Sequence, residues 1–154
     1  MIVGFTGTRR GMTQAQKSVL YLELYKLKEW KTFLHGDCIG ADAEAHSLVR
    51  AFRKIKIVTF PGCNAKGEGL WTAHCRADEV RPPRPYLERN LDIVSESDFM
   101  IAAPVDFCQK QRSGTWATIR MARRQDRPLV IIYPDGTVVK ERVEEECQTS
   151  TQTK

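Results

Sequence analysis

The sequence predicts an α/β fold: a three-layer Rossmann-like domain with a mainly parallel sheet of about five strands and helices on both faces. Three observations lead there. Short apolar runs alternate along the chain with segments of helical periodicity, the pattern of successive β-α-β units. Several of those runs are nearly continuous in Ile, Val, Leu and Phe, as strands buried on both faces are. Finally, the runs near the start, at Thr32 and at Phe99 each lead into a loop or turn containing glycine, which in a parallel sheet belongs to the carboxyl edge.

The elements follow in order. Ile2-Val3-Gly4-Phe5-Thr6 is the first strand, ending in Gly7-Thr8-Arg9-Arg10-Gly11. Thr13 is an N-cap with Gln16 as its capping-box partner, and Val19, Leu20, Leu22, Leu24, Leu27 and Trp30 carry a helix to about Trp30. Thr32 to His35 is the second strand, followed by the turn Gly36 to Asp42 and a helix with the small-residue face Ala43, Ala45, Leu48, Val49 and Phe52. Ile55 to Phe60 is the third strand, closed by Pro61-Gly62. Cys63 to Pro85 is irregular and long, which marks it as a lid or specificity loop, mobile when empty. Tyr86 to Ser95 is a helix with Leu87, Leu91 and Val94 inward; Asp98 to Ala103 is the fourth strand. A polar loop leads to Ser113-Gly114-Thr115 and a helix from Trp116 to Arg124. Pro128 to Tyr133 is the fifth strand, and Val138-Val139 adds a short extra one. Residues 1–143 are expected to form one domain, and 144–154 a polar, flexible tail.

Composition bounds the function. At 154 residues, 42% hydrophobic and 28% charged, the chain suits one soluble domain with a real core. No apolar stretch approaches the ~20 residues of a membrane span, and no leader pattern opens the chain, so a cytoplasmic protein without membrane partners is expected. Five scattered cysteines without a C-x-x-C pair argue for free thiols, and no metal or other cofactor is expected. The net charge of +5 suits either nucleic acid or a phosphorylated small molecule.

Function is read from the turns. Gly7-Thr8-Arg9, Gly36-Asp37 and Ser113-Gly114-Thr115 follow strands and would collect at one sheet edge, a site of nucleotide size. Unpartnered N–H groups at a helix start, with the helix dipole behind them, bind phosphate. Arg9 offers a bidentate fork to phosphate, or is a surface cation; Asp37 or Asp42 can take ribose hydroxyls, or cap the following helix. His35 and Trp116 are read as packing residues, while Trp71 and Tyr86 are candidate stacking platforms.

The ordered pieces Phe5-Thr6-Gly7-Thr8-Arg9, His35-Gly36-Asp37-Cys38-Ile39-Gly40-Ala41-Asp42, Glu88-Arg89-Asn90 and Ser113-Gly114-Thr115 resemble the SLOG superfamily. That Rossmann-like group includes the LOG phosphoribohydrolases, the DNA-processing protein DprA and the YpsA-type domains. The second piece most resembles the G-x-x-x-G-A-D turn of the YpsA-like branch. LOG enzymes carry Glu-Arg-Lys near Glu88-Arg89-Asn90 and Gly-Gly-x-Gly-Thr-x-x-Glu around Gly114-Thr115. The resemblance implies that Arg89 contacts the nucleotide phosphate or ribose and that Gly114-Thr115 hold the phosphate. The catalytic Glu of those enzymes falls at Thr118, which has no carboxylate. Glu88, Arg89, Asp37 and Glu79 are therefore the catalytic candidates. Gly7, Thr8, Arg9, Gly36, Asp37, Arg89, Asn90, Ser113, Gly114 and Thr115 are the ligand-binding set. The expected function is binding of a nucleotide or a nucleotide derivative such as a nucleoside phosphate or an ADP-ribose-like metabolite. The alternatives are a nucleoside 5′-monophosphate N-glycosidase and a DprA-like nucleic-acid binder using Arg50, Arg53, Lys54, Lys56, Arg120, Arg123, Arg124 and Arg127. Homodimerisation is expected, as is common for LOG-like proteins, with the helix face of Val19, Leu20 and Leu24 available for it.

Overall fold

A computed structural model describes residues 1–52 and 54–144; Arg53 and the predicted tail from 145 onward lie outside the described residues. The chain runs β1 (Ile2–Gly7), α1 (Gln14–Lys26), β2 (Thr32–His35), α2 (Ala41–Val49), β3 (Lys56–Thr59), β4 (Gly62–Cys63), β5 (Glu79–Val80), β6 (Arg84–Pro85), α3 (Tyr86–Glu96), β7 (Phe99–Ala103), α4 (Gly114–Arg124), β8 (Leu129–Ile132) and β9 (Val138–Glu141). Seven strands form one sheet in the order β5-β3-β2-β1-β7-β8-β9, and only the β8–β9 pairing is antiparallel. The short β4 and β6 pair separately.

Strand alternation sorts the core into two halves. Val3, Phe5, Ile101, Val130 and Ile132 point to the side covered by Leu20 and Leu24 of α1 and Ala41, Ala45 and Val49 of α2. Leu34, Val58, Met100, Ala102, Leu129 and Ile131 point to the other side, under Ile93 and Val94 of α3 and Trp116, Ile119 and Ala122 of α4. The three-layer architecture is thus two helix pairs sandwiching a parallel sheet. β1 pairs in parallel with β2 on one side and with β7 on the other, so the progression of strands reverses between β1 and β7. At such a reversal the loops leaving the two strands diverge and leave a crevice at the carboxyl edge.

Several local expectations change. The sheet gains β5 as a parallel edge. α1 begins with the predicted capping box, Thr13 Oγ1 accepting from the Gln16 N–H and Gln16 Oε1 accepting from the Thr13 N–H. It stops at Lys26, because Leu27 is extended (φ −68°, ψ 131°). Trp30 is buried beyond the helix, its Nε1 donating to the Leu24 carbonyl at 3.1 Å and its ring set edge-on to Phe52. Leu20 and Leu24 are wholly inside the core, so the face proposed for self-association is not available; Tyr21, Leu22 and Tyr25 are the exposed large hydrophobic residues of α1. On α3, Leu87 and Leu91 point outward, and the buried face is Arg89, Ile93 and Val94. An arginine inside and two leucines outside reverse the hydrophobic reading, and the site accounts for it.

Candidate functional site

A cleft of about 550 Å³ lies at the β1/β7 crevice, within the ~300–1,000 Å³ usual for small-molecule sites. Gly7, Thr8 and Arg9 line it from the end of β1, Gly36 from the end of β2, and Ser113, Gly114 and Thr115 from the start of α4. Arg89 and Asn90 reach it from α3. Of the ligand-binding residues expected from sequence, only Asp37 does not line the cleft.

The α4 end is built to receive an anion. Ser113 is the N-cap, its Oγ accepting from the Trp116 N–H at 3.3 Å, while its carbonyl accepts from Ala117 N–H at 2.9 Å. That leaves the N–H groups of Gly114 and Thr115 without a partner among the described residues, at the positive end of the helix dipole. A side chain at Gly114 would meet only open space, so nothing of the protein fills the seat. Thr118 lines the cleft one turn on, its hydroxyl donating back to the Gly114 carbonyl at 2.9 Å. Arg9, Arg10 and Arg112 also line the cleft, and none has a carboxylate within ion-pair distance among the described residues. Arg9 instead lies over the ring of Trp71, 4.4 Å from its centroid.

The β2 turn is held by Arg89. Its two Nη1 protons go to the carbonyls of Gly36 and of Phe60, its Nε donates to Asn90 Oδ1 at 2.8 Å, and Nη2 lies 3.6 Å from Cys38 Sγ. The guanidinium therefore ties the ends of β2 and β3 to α3, with little left over for a ligand. A Cβ on residue 36 would lie 2.5 Å from Nη1, which is why glycine stands there. Gly40 closes the turn at φ +85°, where its missing side chain leaves room for the Arg9 carbonyl.

Neither Asp37 nor Asp42 caps α2 through its side chain. Asp37 is buried behind the cleft at φ +53°; its Oδ1 accepts from Cys75 N–H at 2.9 Å and its carbonyl from Ala73 N–H at 2.7 Å. With Ile39 N–H donating to the Trp71 carbonyl at 2.9 Å and the Cys38–Thr72 bridge, these bonds strap residues 71–75 to the β2 turn. The irregular segment is thus anchored where it carries Trp71 to the cleft. Asp42, at the start of α2, does line the cleft; its Oδ2 accepts from Cys38 N–H at 3.1 Å, and it makes no N-cap bond. Burial pushes its carboxyl up to about 6, against the counter-pull of Arg89.

Behind the same turn lie His35, His46 and Cys75, the only trio of metal-ligating side chains found close together among the described residues. Asp37 N–H donates to His35 Nδ1 at 3.0 Å, which in the neutral ring puts the proton on Nε2, facing His46 Nδ1 at 2.9 Å. Burial, then the neighbouring His46, lowers His35 to about 3, so the ring stays neutral. Both facing nitrogens are used by one hydrogen bond, and Cys75, raised to about 12 by burial and Asp37, stays a thiol. The trio is a packed, hydrogen-bonded support of the turn.

Glu79 sits on the edge strand β5 paired with Lys56 and Arg81, and Glu88 is exposed beside Arg84. Neither lines the cleft. The carboxylates that do are Asp42 and Asp106. Sequence reading passed over Asp106, Cys38 and Arg10; their only signal is adjacency to the glycine turns and to the loop after β7.

No family model and no curated protein matches the chain. Solved structures do. A molybdenum cofactor binding protein from Rippkaea orientalis superposes with a TM-score of 0.61 at 18% identity, over 86% of this chain and 76% of that one. The protein TM1055 gives 0.55 at 16% identity, over 83% and 71%. DNA processing protein A from Helicobacter pylori, described for its single-stranded DNA binding mode, gives 0.54 at 18% identity, over 85% and 64%. At these identities the likeness is one of fold, a Rossmann-like α/β architecture.

Proposed function

We propose that this protein binds a nucleotide or nucleotide derivative, a nucleoside phosphate or an ADP-ribose-like metabolite, in the β1/β7 cleft. The observation that carries the reading is convergence: turns centred on Gly7, Gly36 and Gly114, far apart in sequence, line one cleft at the strand-order reversal. The phosphate sits on the free amides of Gly114 and Thr115, with Arg9, Arg10 and Arg112 around it. Trp71 and Tyr86, each with an arginine over its ring, supply apolar wall for a base. Neighbours of the same fold are described as binding a cofactor and single-stranded DNA, which supports a ligand-binding role.

The hydrolytic alternative needs a carboxylate near the glycosidic carbon. Thr118 supplies none, and Asp42 and Asp106 are the carboxylates lining the cleft. Nucleic-acid binding through the outer basic residues has less support. Arg50 is paired with Asp78, Arg123 with Glu141, and Arg120 and Arg127 donate to backbone carbonyls. Tyr21, Leu22 and Tyr25 of α1 are exposed and available to a dimer.

The test is a thermal-shift screen of nucleoside mono-, di- and triphosphates, NAD and ADP-ribose, with each hit checked by chromatography for released base. Stabilisation by a nucleotide without turnover is the expected result. If no nucleotide shifts the melting temperature, the reading fails; release of free base moves it to the hydrolase.

A further inference from the structure

We propose that Asp42 is the specificity-determining acceptor of the cleft, taking the vicinal hydroxyls of a ribose, so that the site selects ribonucleotides over 2′-deoxyribonucleotides. This rests on the nucleotide reading above and assigns a residue and a ligand class within it. The cleft is polarised. At the α4 end the free amides of Gly114 and Thr115, beside Arg112, attract an anion, while Arg9 lies against Trp71 by the α2 turn. On the α2 wall stands a carboxylate, which repels phosphate and accepts from hydroxyls. A ligand satisfying both walls carries its anionic group at one end and hydrogen-bond donors at the other, as a ribose phosphate does.

Asp42 suits the role in position and in its bonds. It stands in the first turn of α2, the helix that follows β2, and lines the cleft. Cys38 N–H fixes Oδ2 at 3.1 Å, so the carboxylate is oriented before any ligand arrives. No cation lies within ion-pair distance among the described residues, because the donors of Arg89 are directed mainly at the Gly36 and Phe60 carbonyls and at Asn90. The residue is only 6% exposed, and burial works against its ionised form. A buried carboxylate opening on a cleft, whose neighbouring cation Arg89 is bonded to backbone carbonyls instead, is the kind of group that a ligand completes.

The experiment titrates the wild-type protein with each of the four ribonucleoside monophosphates and its 2′-deoxy counterpart, by calorimetry at neutral pH. The ribonucleotide should bind about 10- to 100-fold more tightly, the usual worth of hydrogen bonds to a charged group. In Asp42→Asn the preference should fall to a few-fold at most. Equal binding of the ribo and deoxy forms by the wild type overturns the proposal and leaves nucleotide binding standing. So does a preference that survives Asp42→Asn. Binding of neither form overturns both. The wild-type comparison needs no variant, so a misfolded substitution does not rescue the idea.

Discussion

Asp42 and Arg89 face each other across the β2 turn, and each is a polar group held in a place that solvation disfavours. For Asp42 the folded carboxyl is raised to about 6 from 3.8, so the folded protein binds its proton more tightly than the unfolded chain does. Its contribution is therefore full below about pH 4 and declines as pH rises to about 6, by about 3 kcal/mol in all. Asp42→Asn should remove that decline: the difference in unfolding free energy between variant and wild type should move in favour of the variant between pH 4 and 6. A flat difference across that window would mean the carboxyl is not perturbed. For Arg89, two buried carbonyls depend on one guanidinium. Arg89→Met leaves both without a donor and should cost about 2–4 kcal/mol in urea unfolding of the ligand-free protein. A wild-type-like midpoint would instead mark Arg89 as a residue kept for ligand alone.

At the level of elements, the α4 N-terminus and the strap make separable predictions. Gly114 faces open space, so Gly114→Ala should leave ligand-free stability within about 0.5 kcal/mol while its methyl crowds the anion seat. Nucleotide affinity should fall at least tenfold; unchanged affinity would remove the phosphate from that helix end. Asp37 ties residues 73 and 75 to the turn. Asp37→Ala removes the acceptor of the Cys75 N–H and should therefore speed amide exchange at Cys75 far more than in β1 or β7. What could be read beforehand follows the same division. The five main strands, the capping box of α1 and the three glycine turns were legible because each is local: apolar runs, Thr13 with Gln16, glycine after a strand. The orientation of α3 was not, because Leu87 and Leu91 at helical spacing outvote an arginine on any hydrophobic count. Only the carbonyls of Gly36 and Phe60, distant in sequence, make the inside the better place for Arg89. Likewise, nothing local distinguishes Asp37 from Asp42. The strap that claims Asp37 joins the turn from more than thirty residues away.

Across the whole molecule, the sheet order concentrates the functional evidence on one edge. Strands β1, β2 and β7 deliver their carboxyl ends side by side, and two helix pairs bury both faces of the sheet. The net charge of +5 acts on this arrangement from outside. Because many outer arginines are paired or bonded to backbone carbonyls, nucleotide affinity should vary with salt by less than a protein contacting 6–10 phosphates, which loses about 10³–10⁵ in affinity between 50 and 200 mM. The most direct measurement is an amide-resolved NMR titration with a nucleoside monophosphate. The amides of Gly7 to Arg9, Gly36 and Gly114 to Trp116 should shift together with one dissociation constant. Shifts confined to the outer face of Arg120 to Arg127, or turns that respond with different constants, would contradict a single nucleotide site at the carboxyl edge.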